Sequence, residues 1–281
     1  MLSCIFVRLL AIQFPALDRT AWKEIDYIAV SENYWKHGFN FFLPEITWPA
    51  EPPRFTAMEL PIVPFAASLL YPLFGLNAFS VRMATLIAFL LMSFYVFKLG
   101  RRELGPTVGL LAALASSIPP LFQIFGSILY SEPLMMAVEV ITLFHFAEWI
   151  DFGRRRDWIL SALSFSIAIA LKITPLYLLL PLVWLVFRKH KFNVTAHAKF
   201  SLFVLAALVL PILWYAYAYH LANTSLDVFG VLGGIGPSRG HDKLQTLSML
   251  SDANWYREGQ THGTVLRKSV RRVPLLMACA V

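Results

Sequence analysis

Asp26, Glu59 and Glu132 each stand at the mouth of an apolar stretch, and all three fall on one side of the chain's charge pattern. An ionisable group held at membrane depth is costly, so such carboxylates point to titratable chemistry. Asp26 is the sharpest case. Residues 20–36 (TAWKEIDYIAVSENYWK) read as an amphipathic helix. At about 100° per residue, with Trp22 as origin, Ile25, Ala29 and Val30 form an apolar arc, with Asp26 inside it and Asn33 beside it. Lys23, Glu24, Tyr27 and Ser31 take the other face. A carboxylate among apolar side chains costs several kcal/mol unless something pairs with it. An Asp26–Lys23 ion pair one turn apart is the plainer alternative, worth only tenths of a kcal/mol. Glu59 in Ala57-Met58-Glu59-Leu60-Pro61, and Glu132 before Pro133, also fit the acid-then-proline pattern of a helix start.

The elements that must hold these acids are apolar helices. Of 281 residues, 58% are hydrophobic and only 15% charged, with a mean hydropathy of +0.62. A soluble domain has about 45–50% apolar and about 25% charged residues, and this excess would leave large apolar surfaces exposed. Disorder, collagen and disulfide scaffolds are excluded by the same figures. Cys4 and Cys279 sit at opposite ends and suggest neither a disulfide framework nor a metal knot. The chain reads as an integral membrane protein.

Its net charge of +7 is gathered in clusters between apolar runs. These are Lys98, Arg101 and Arg102; Arg154–Arg156; and Arg188, Lys189, Lys191 and Lys199. Such clusters mark cytoplasmic loops, and no nucleic-acid-reading motif accompanies them. A crossing helix needs ~20 residues, which residues 79–98, 107–125, 133–150 and 200–219 supply. Trp158–Phe187 carries one charge, Lys172, followed by Pro175. Two short spans turning at Lys172 keep the flanking basic clusters on one side. Pro61–Phe74 holds Pro61, Pro64 and Pro72 in 14 apolar residues, and proline leaves backbone groups that lipid cannot satisfy. It reads as an interfacial or re-entrant helix pair.

The expected fold is therefore all-α, a polytopic transmembrane bundle of about seven spans forming one domain over 1–281. Met1–Phe14 supplies a first, short span without a signal-cleavage pattern. Residues 15–77 form a long outer loop with interfacial helices, 79–219 the bundle, and 220–281 an outer loop with an incomplete following segment. The outer loop holds seven of the 17 acids (Asp18, Glu24, Asp26, Glu32, Glu45, Glu51 and Glu59) against four bases, Arg19, Lys23, Lys36 and Arg54. Thr264–Val281 reads as the approach to a further span, as in the front portion of a longer protein.

A family resemblance rests on Trp22-Lys23-Glu24-Ile25-Asp26, Gly38-Phe39-Asn40, Pro44-Glu45-Ile46, Glu59-Leu60-Pro61, Phe74-Gly75 and Arg82. Leu99-Gly100-Arg101-Arg102, Tyr130-Ser131-Glu132-Pro133 and Lys172-Ile173-Thr174-Pro175 extend it. In their order and spacing, roughly over Asp18–Arg188, these resemble the N-terminal half of GT-C membrane glycosyltransferases. The nearest groups are the protein O-mannosyltransferases and lipid A aminoarabinose transferases. The resemblance implies an active site outside the cytoplasm, in the plasma membrane of a bacterium, with a polyprenyl-phosphate sugar as donor and a lipid, glycan or protein as acceptor. It maps the catalytic acid to Asp26, the second-loop acid to Glu132, and the acid that orients acceptor or a divalent metal to Glu59. Leu60 replaces the lysine expected to meet donor phosphate, which leaves Lys172, Arg82 and Arg54 as candidates.

That chemistry suits these residue types. A carboxylate can take the acceptor proton as general base, and a fixed cation stabilises charge building on the departing phosphate. Trp35, Phe39, Phe41, Phe42 and Trp48 would suit a prenyl chain, although aromatic belts are ordinary in membrane proteins. A transporter or flippase is the rival, since broken helices and midplane charges also occur there, but the Asp26 region is not repeated. An inactive fragment is the other alternative. Gly230–Gly240 lacks a nucleotide-loop ending. His220, His241 and His262 lack ligand spacing. Asn223-Thr224-Ser225 is a glycosylation acceptor only in a host that modifies secreted loops. Arg267, Lys268, Arg271 and Arg272 run against the charge rule in an outer tail.

Overall fold

The computed structural model describes residues 21–47, 54–118 and 128–224. Nine α-helices and one 3-10 turn make up the ordered elements among these residues, and the one β pairing there is a bridge between Glu45 and Phe55. The helices are α1 (Ala21–Lys36), α2 (Ile62–Ser68), α3 (Tyr71–Phe74), α4 (Ala78–Leu104) and α5 (Pro106–Ala115). They continue with α6 (Glu132–Phe152), α7 (Arg155–Leu171), the 3-10 turn Thr174–Leu178, α8 (Leu179–His190) and α9 (Val194–Thr224). The all-α membrane architecture is as expected.

Three of the described helices are long and apolar enough to cross a membrane: Ala78–Leu104, Glu132–Phe152 and Val194–Leu221. Of the expected span 107–125, the described part is the ten-residue α5 and its last turn. The expected first span and nearly all of 220–281 lie outside the described residues. Pro61–Phe74 forms the expected helix pair, α2 and α3. Trp158–Phe187 likewise breaks at Lys172, which caps α7 in extended conformation.

Local sequence explains the helix boundaries. Asn77 and Ser80 cap α4 reciprocally: Ser80 N donates to Asn77 Oδ1 at 3.0 Å, and Asn77 N to Ser80 Oγ at 3.3 Å. Such a box satisfies donors that the first turn leaves open. Gly105, at φ +98°, ends α4, and Pro106 starts α5. The hairpin closes because Gly100 faces Gly109. A Cβ at Gly109 would stand 2.6 Å from both Phe97 O and Arg101 N. Backbone cannot yield as a side-chain tip does, so small residues set this approach. Gly109→Ala is expected to destabilise the protein by about 1–3 kcal/mol, read as a lowered unfolding temperature in detergent. An unchanged unfolding temperature would mean that the hairpin opens freely.

The bundle centres on α7, which packs against α6 and α9. Phe203 is fully buried between Phe146 (ring centroids 5.0 Å) and Phe165 (6.1 Å, stacked). Small polar residues tie α6 to α7: Thr142 and Ser164 hydroxyls meet at 2.9 Å, and Ser161 Oγ donates to Thr142 O at 3.0 Å. At one end, Arg102 binds Glu148 at 2.7 Å, with Asp151 also against it. Lys189 binds Asp151 at 2.8 Å, and Arg154 lies 3.8 Å from Glu148. Members of all three basic clusters therefore meet at one end. Lys172 and Glu132, joined at 2.5 Å, mark the opposite end.

Candidate active site

The end opposite the basic clusters is roofed by α1, which packs on α2, while α2 packs on α4. α1 is rolled relative to the expected orientation. Glu24, Tyr27 and Ser31, expected on its wet face, are buried, and Ile25, expected in the apolar arc, is 52% exposed. The buried arc runs from Asn33 through Asp26, Val30, Tyr34 and Tyr27 to Glu24. It is centred about 100° round from the arc that hydrophobicity alone selects. The cause is that the polar residues of this arc find protein partners in place of water.

Glu24 is 1% exposed and Arg82 4%. Arg82 Nε donates to Glu24 Oε1 at 2.8 Å and its guanidinium Nη2 to Oε2 at 3.1 Å, while Leu129 N donates to Oε1 at 3.1 Å. This fork joins α1, α4 and the segment before α6. Arg82, one of the cations expected to meet donor phosphate, is thus committed to Glu24 inside the packed interior. It is the one charge between Phe79 and Phe97, and such a charge needs a partner. The sequence alone did not say which acid. Arg82→Leu is expected to cost about 3–5 kcal/mol, because it leaves Glu24 buried and uncompensated. The double change Glu24→Leu/Arg82→Leu should cost less than the two single changes together. Thermal unfolding of the set checks this, and strict additivity would show that the two side chains do not interact.

Glu59 sits beneath the same helix. Tyr27 donates its hydroxyl to Glu59 Oε1, and Ser131 Oγ donates to that oxygen at 3.4 Å. Tyr27 and Ser131 lie 3.2 Å apart. Burial first, then the Glu59 charge and the bond given to it, hold the Tyr27 phenol well above its ordinary value. Tyr27 is therefore a neutral donor at ordinary pH. Its ring packs on Tyr130 with centroids 6.2 Å apart. Burial first, then the charges of Glu132, Glu24 and Asp26, push the Tyr130 phenol up to about 12. Glu132 also acts on Tyr27. Glu59 is thus bonded to Tyr27, while the charges of Glu132 and Asp26 reach the tyrosine pair.

Asp26 is 7% exposed, on the same flank of α1 as Val30 and Asn33. Its expected alternative partner, Lys23, has a side chain outside the described residues. Lys172 Nζ meets Glu132 Oε1 at 2.5 Å, with a third of the lysine side chain exposed. Arg54 stands elsewhere: its Nε is 3.7 Å from Glu45 Oε1, and His37 Nδ1 is 2.7 Å from Glu45 Oε2. Each of the three candidate cations is paired with a different acid. Sequence reasoning missed Tyr27, Tyr130 and Ser131 as parts of the site. Tyr130 and Ser131 stood in the quoted Tyr-Ser-Glu-Pro run, and Tyr27 beside Asp26, but neutral hydroxyls carry no charge pattern.

A divalent cation prefers several oxygen ligands, commonly more than one carboxylate. Glu59 Oε1 is already taken by two hydroxyls, and no three side chains of ligand type gather among the described residues. This donor set does not fit a metal at Glu59.

The loop between α1 and α2 is anchored to the bundle by backbone acceptors. Leu60 N donates to Ala170 O at 3.1 Å, Trp214 Nε1 to Met58 O at 3.1 Å, and Tyr217 to Phe42 O at 2.6 Å. The segment carrying Glu59 is thereby pinned against α7 and α9.

The family profile for dolichyl-phosphate-mannose-protein mannosyltransferases matches residues 53–215. Among solved structures, the apo crystal structure of ArnT from Cupriavidus metallidurans is similar, with a TM-score of 0.55 at 20% identity. The likeness covers 72% of this chain and 37% of that one, so the chain spans well under half of that structure's length, and at such identity it shows the fold alone. No curated protein matches the sequence.

Proposed function

Because the chain belongs to the dolichyl-phosphate-mannose-protein mannosyltransferase family, we propose that it carries the acid–base half of a membrane glycosyltransferase. The reaction moves a sugar from a polyprenyl-phosphate donor to an acceptor hydroxyl. The observation that supports this reading is the buried Asp26 next to the Tyr27–Glu59–Ser131 hydrogen-bond cluster, with Lys172 paired to Glu132 one residue beyond Ser131.

In this reading the bond between sugar C1 and phosphate oxygen breaks as the acceptor oxygen bonds to C1. Asp26 takes the acceptor proton, acting as general base. The leaving polyprenyl phosphate keeps the electron pair of the broken bond, and Lys172 faces that charge. An ammonium has three donors, so Lys172 can hold Glu132 with one and still offer others to phosphate. Cationic stabilisation of this kind acts where charge develops, which favours the transition state over bound substrate. Glu59, fixed by Tyr27 and Ser131, orients the acceptor. The basic end faces the cytoplasm by the charge rule, so the site opens on the other face, at the plasma membrane of a bacterial cell.

The test is transfer of label from dolichyl-phosphate mannose by the protein in liposomes, with water and added hydroxyl compounds as acceptors. Release or transfer of labelled mannose, lost on Asp26→Asn, is the expected result. No turnover of the donor with any acceptor would overturn the reading.

A further inference from the structure

At the C-terminal end of α1, from Asn33 two helical turns beyond Asp26, lies a cavity of about 280 Å³ lined by Asn33, Tyr34, His37, Asn40, Glu45 and Phe55, among others. Its frame is the bridge between Glu45 and Phe55, which folds the loop back under the helix end. The polar groups are arranged in complementary fashion. Asn33 Nδ2 spends its donors on Glu45 O at 2.9 Å and Thr47 Oγ1 at 3.2 Å, which leaves its side-chain oxygen as an acceptor. Asn40 Oδ1 accepts from Phe42 N at 3.2 Å, which leaves its amide as a donor. The His37–Glu45 pair supplies a carboxylate and an imidazole on the same rim.

Ligand pockets run from about 300 to 1,000 Å³, so this one lies at the lower limit and holds a single ring. Tyr34, Leu43 and Phe55 give the cavity an apolar wall for one face of a ring, while the amide, imidazole and carboxylate groups at its edge would be left without partners by a lipid tail; a peptide would want an open strand edge or extended groove. Alternating donors and acceptors beside the Phe55 ring suit the hydroxyls of a neutral sugar. Position adds a constraint. Asp26 and Asn33 share one flank of α1 and are seven residues apart, about 10 Å along the axis. A ring in the cavity is therefore too far from Asp26 to react itself, and the next residue of the same glycan would offer its hydroxyl there.

We propose that this cavity is an acceptor subsite for one saccharide ring, so that the acceptor is a glycan of at least two residues. This deepens the glycosyl-transfer reading and rests on it. The chemistry is unchanged: the acceptor oxygen bonds to donor C1, the C1–phosphate oxygen bond breaks, and the acceptor proton passes to Asp26.

The experiment separates the two claims. Binding of mannobiose, cellobiose and chitobiose to the full chain in nanodiscs is measured by saturation-transfer NMR, without donor. At least one disaccharide is expected to bind, about tenfold more tightly than its monosaccharide. Asn33→Ala and Phe55→Ala should each weaken it about tenfold, and Lys189→Gln, at the opposite end of the bundle, should not. Unfolding temperatures of the variants identify any that fail to fold, in which case the milder Asn33→Asp and Phe55→Leu take their place. Absence of disaccharide binding, or binding indifferent to the cavity variants, overturns the subsite even where donor turnover is intact. Binding with full activity of Asp26→Asn overturns the catalytic role of Asp26 and leaves the subsite standing.

Discussion

Asp26→Asn is expected to lower the rate of sugar transfer by roughly 10²–10⁴-fold, the usual contribution of a positioned general base. The side chain keeps its shape but loses its charge and the capacity to take up a proton. Its surroundings make the experiment discriminating. Asp26 is nearly closed off from solvent on a helix whose neighbouring polar residues hold α1 in place through other partners. Glu24 grips Arg82, and Tyr27 holds Glu59, so α1 should stay seated when Asp26 is neutralised. A structural aspartate would behave differently, with unfolding temperature and rate falling together. The check is initial rates with labelled dolichyl-phosphate mannose, set against thermal unfolding of the same preparation. An unchanged rate removes Asp26 as the base.

Lys172→Gln should be the second most damaging change, with the rate falling by roughly 10²–10³-fold, as for loss of one preorganised group facing developing charge. The loss should appear chiefly in kcat, because the phosphate gains charge as the bond breaks. Lys172→Arg keeps the charge with a different geometry and should retain part of the rate. Glu132→Gln is the informative partner. If Glu132 serves to hold Lys172, then Lys172 keeps its charge in that variant and the rate should fall less than in Lys172→Gln. Equal losses, accompanied by equal drops in unfolding temperature, would make the pair a helix-end staple between α6 and α7 and no more. Steady-state kinetics of the three variants decides between these outcomes.

Much of the fold was legible because the bilayer imposes coarse rules on sequence. Apolar length, proline placement and basic clusters sufficed for the all-α membrane class, the helix pair at Pro61–Phe74 and the break at Lys172. Each depends on quantities carried by a single segment: hydropathy, a missing donor, a charge. The gathering of Arg102, Arg154 and Lys189 round Glu148 and Asp151 follows the same logic. Their common side was written in the spacing of the clusters, although their partners were not.

The orientation of α1 was not legible. Periodicity assigns a helix face on the premise that polar residues seek water. Here Glu24, Tyr27 and Ser31 turn inward, because Arg82, Glu59 with Ser131, and Tyr71 receive them. Those partners lie 58, 32 and 40 residues away in the chain, and no local pattern encodes such a meeting. The same holds for the cations. Lys172, and behind it Arg82 and Arg54, stood as candidate phosphate cations, and only packing gave each its own acid. Sequence by itself determined which residues carry charge and which segments belong in lipid, since both are properties of side chains taken singly. Tertiary structure alone decided which carboxylate is spent on holding the fold and which stand at the tyrosine pair. That choice depends on distances between segments, which one-dimensional spacing does not contain.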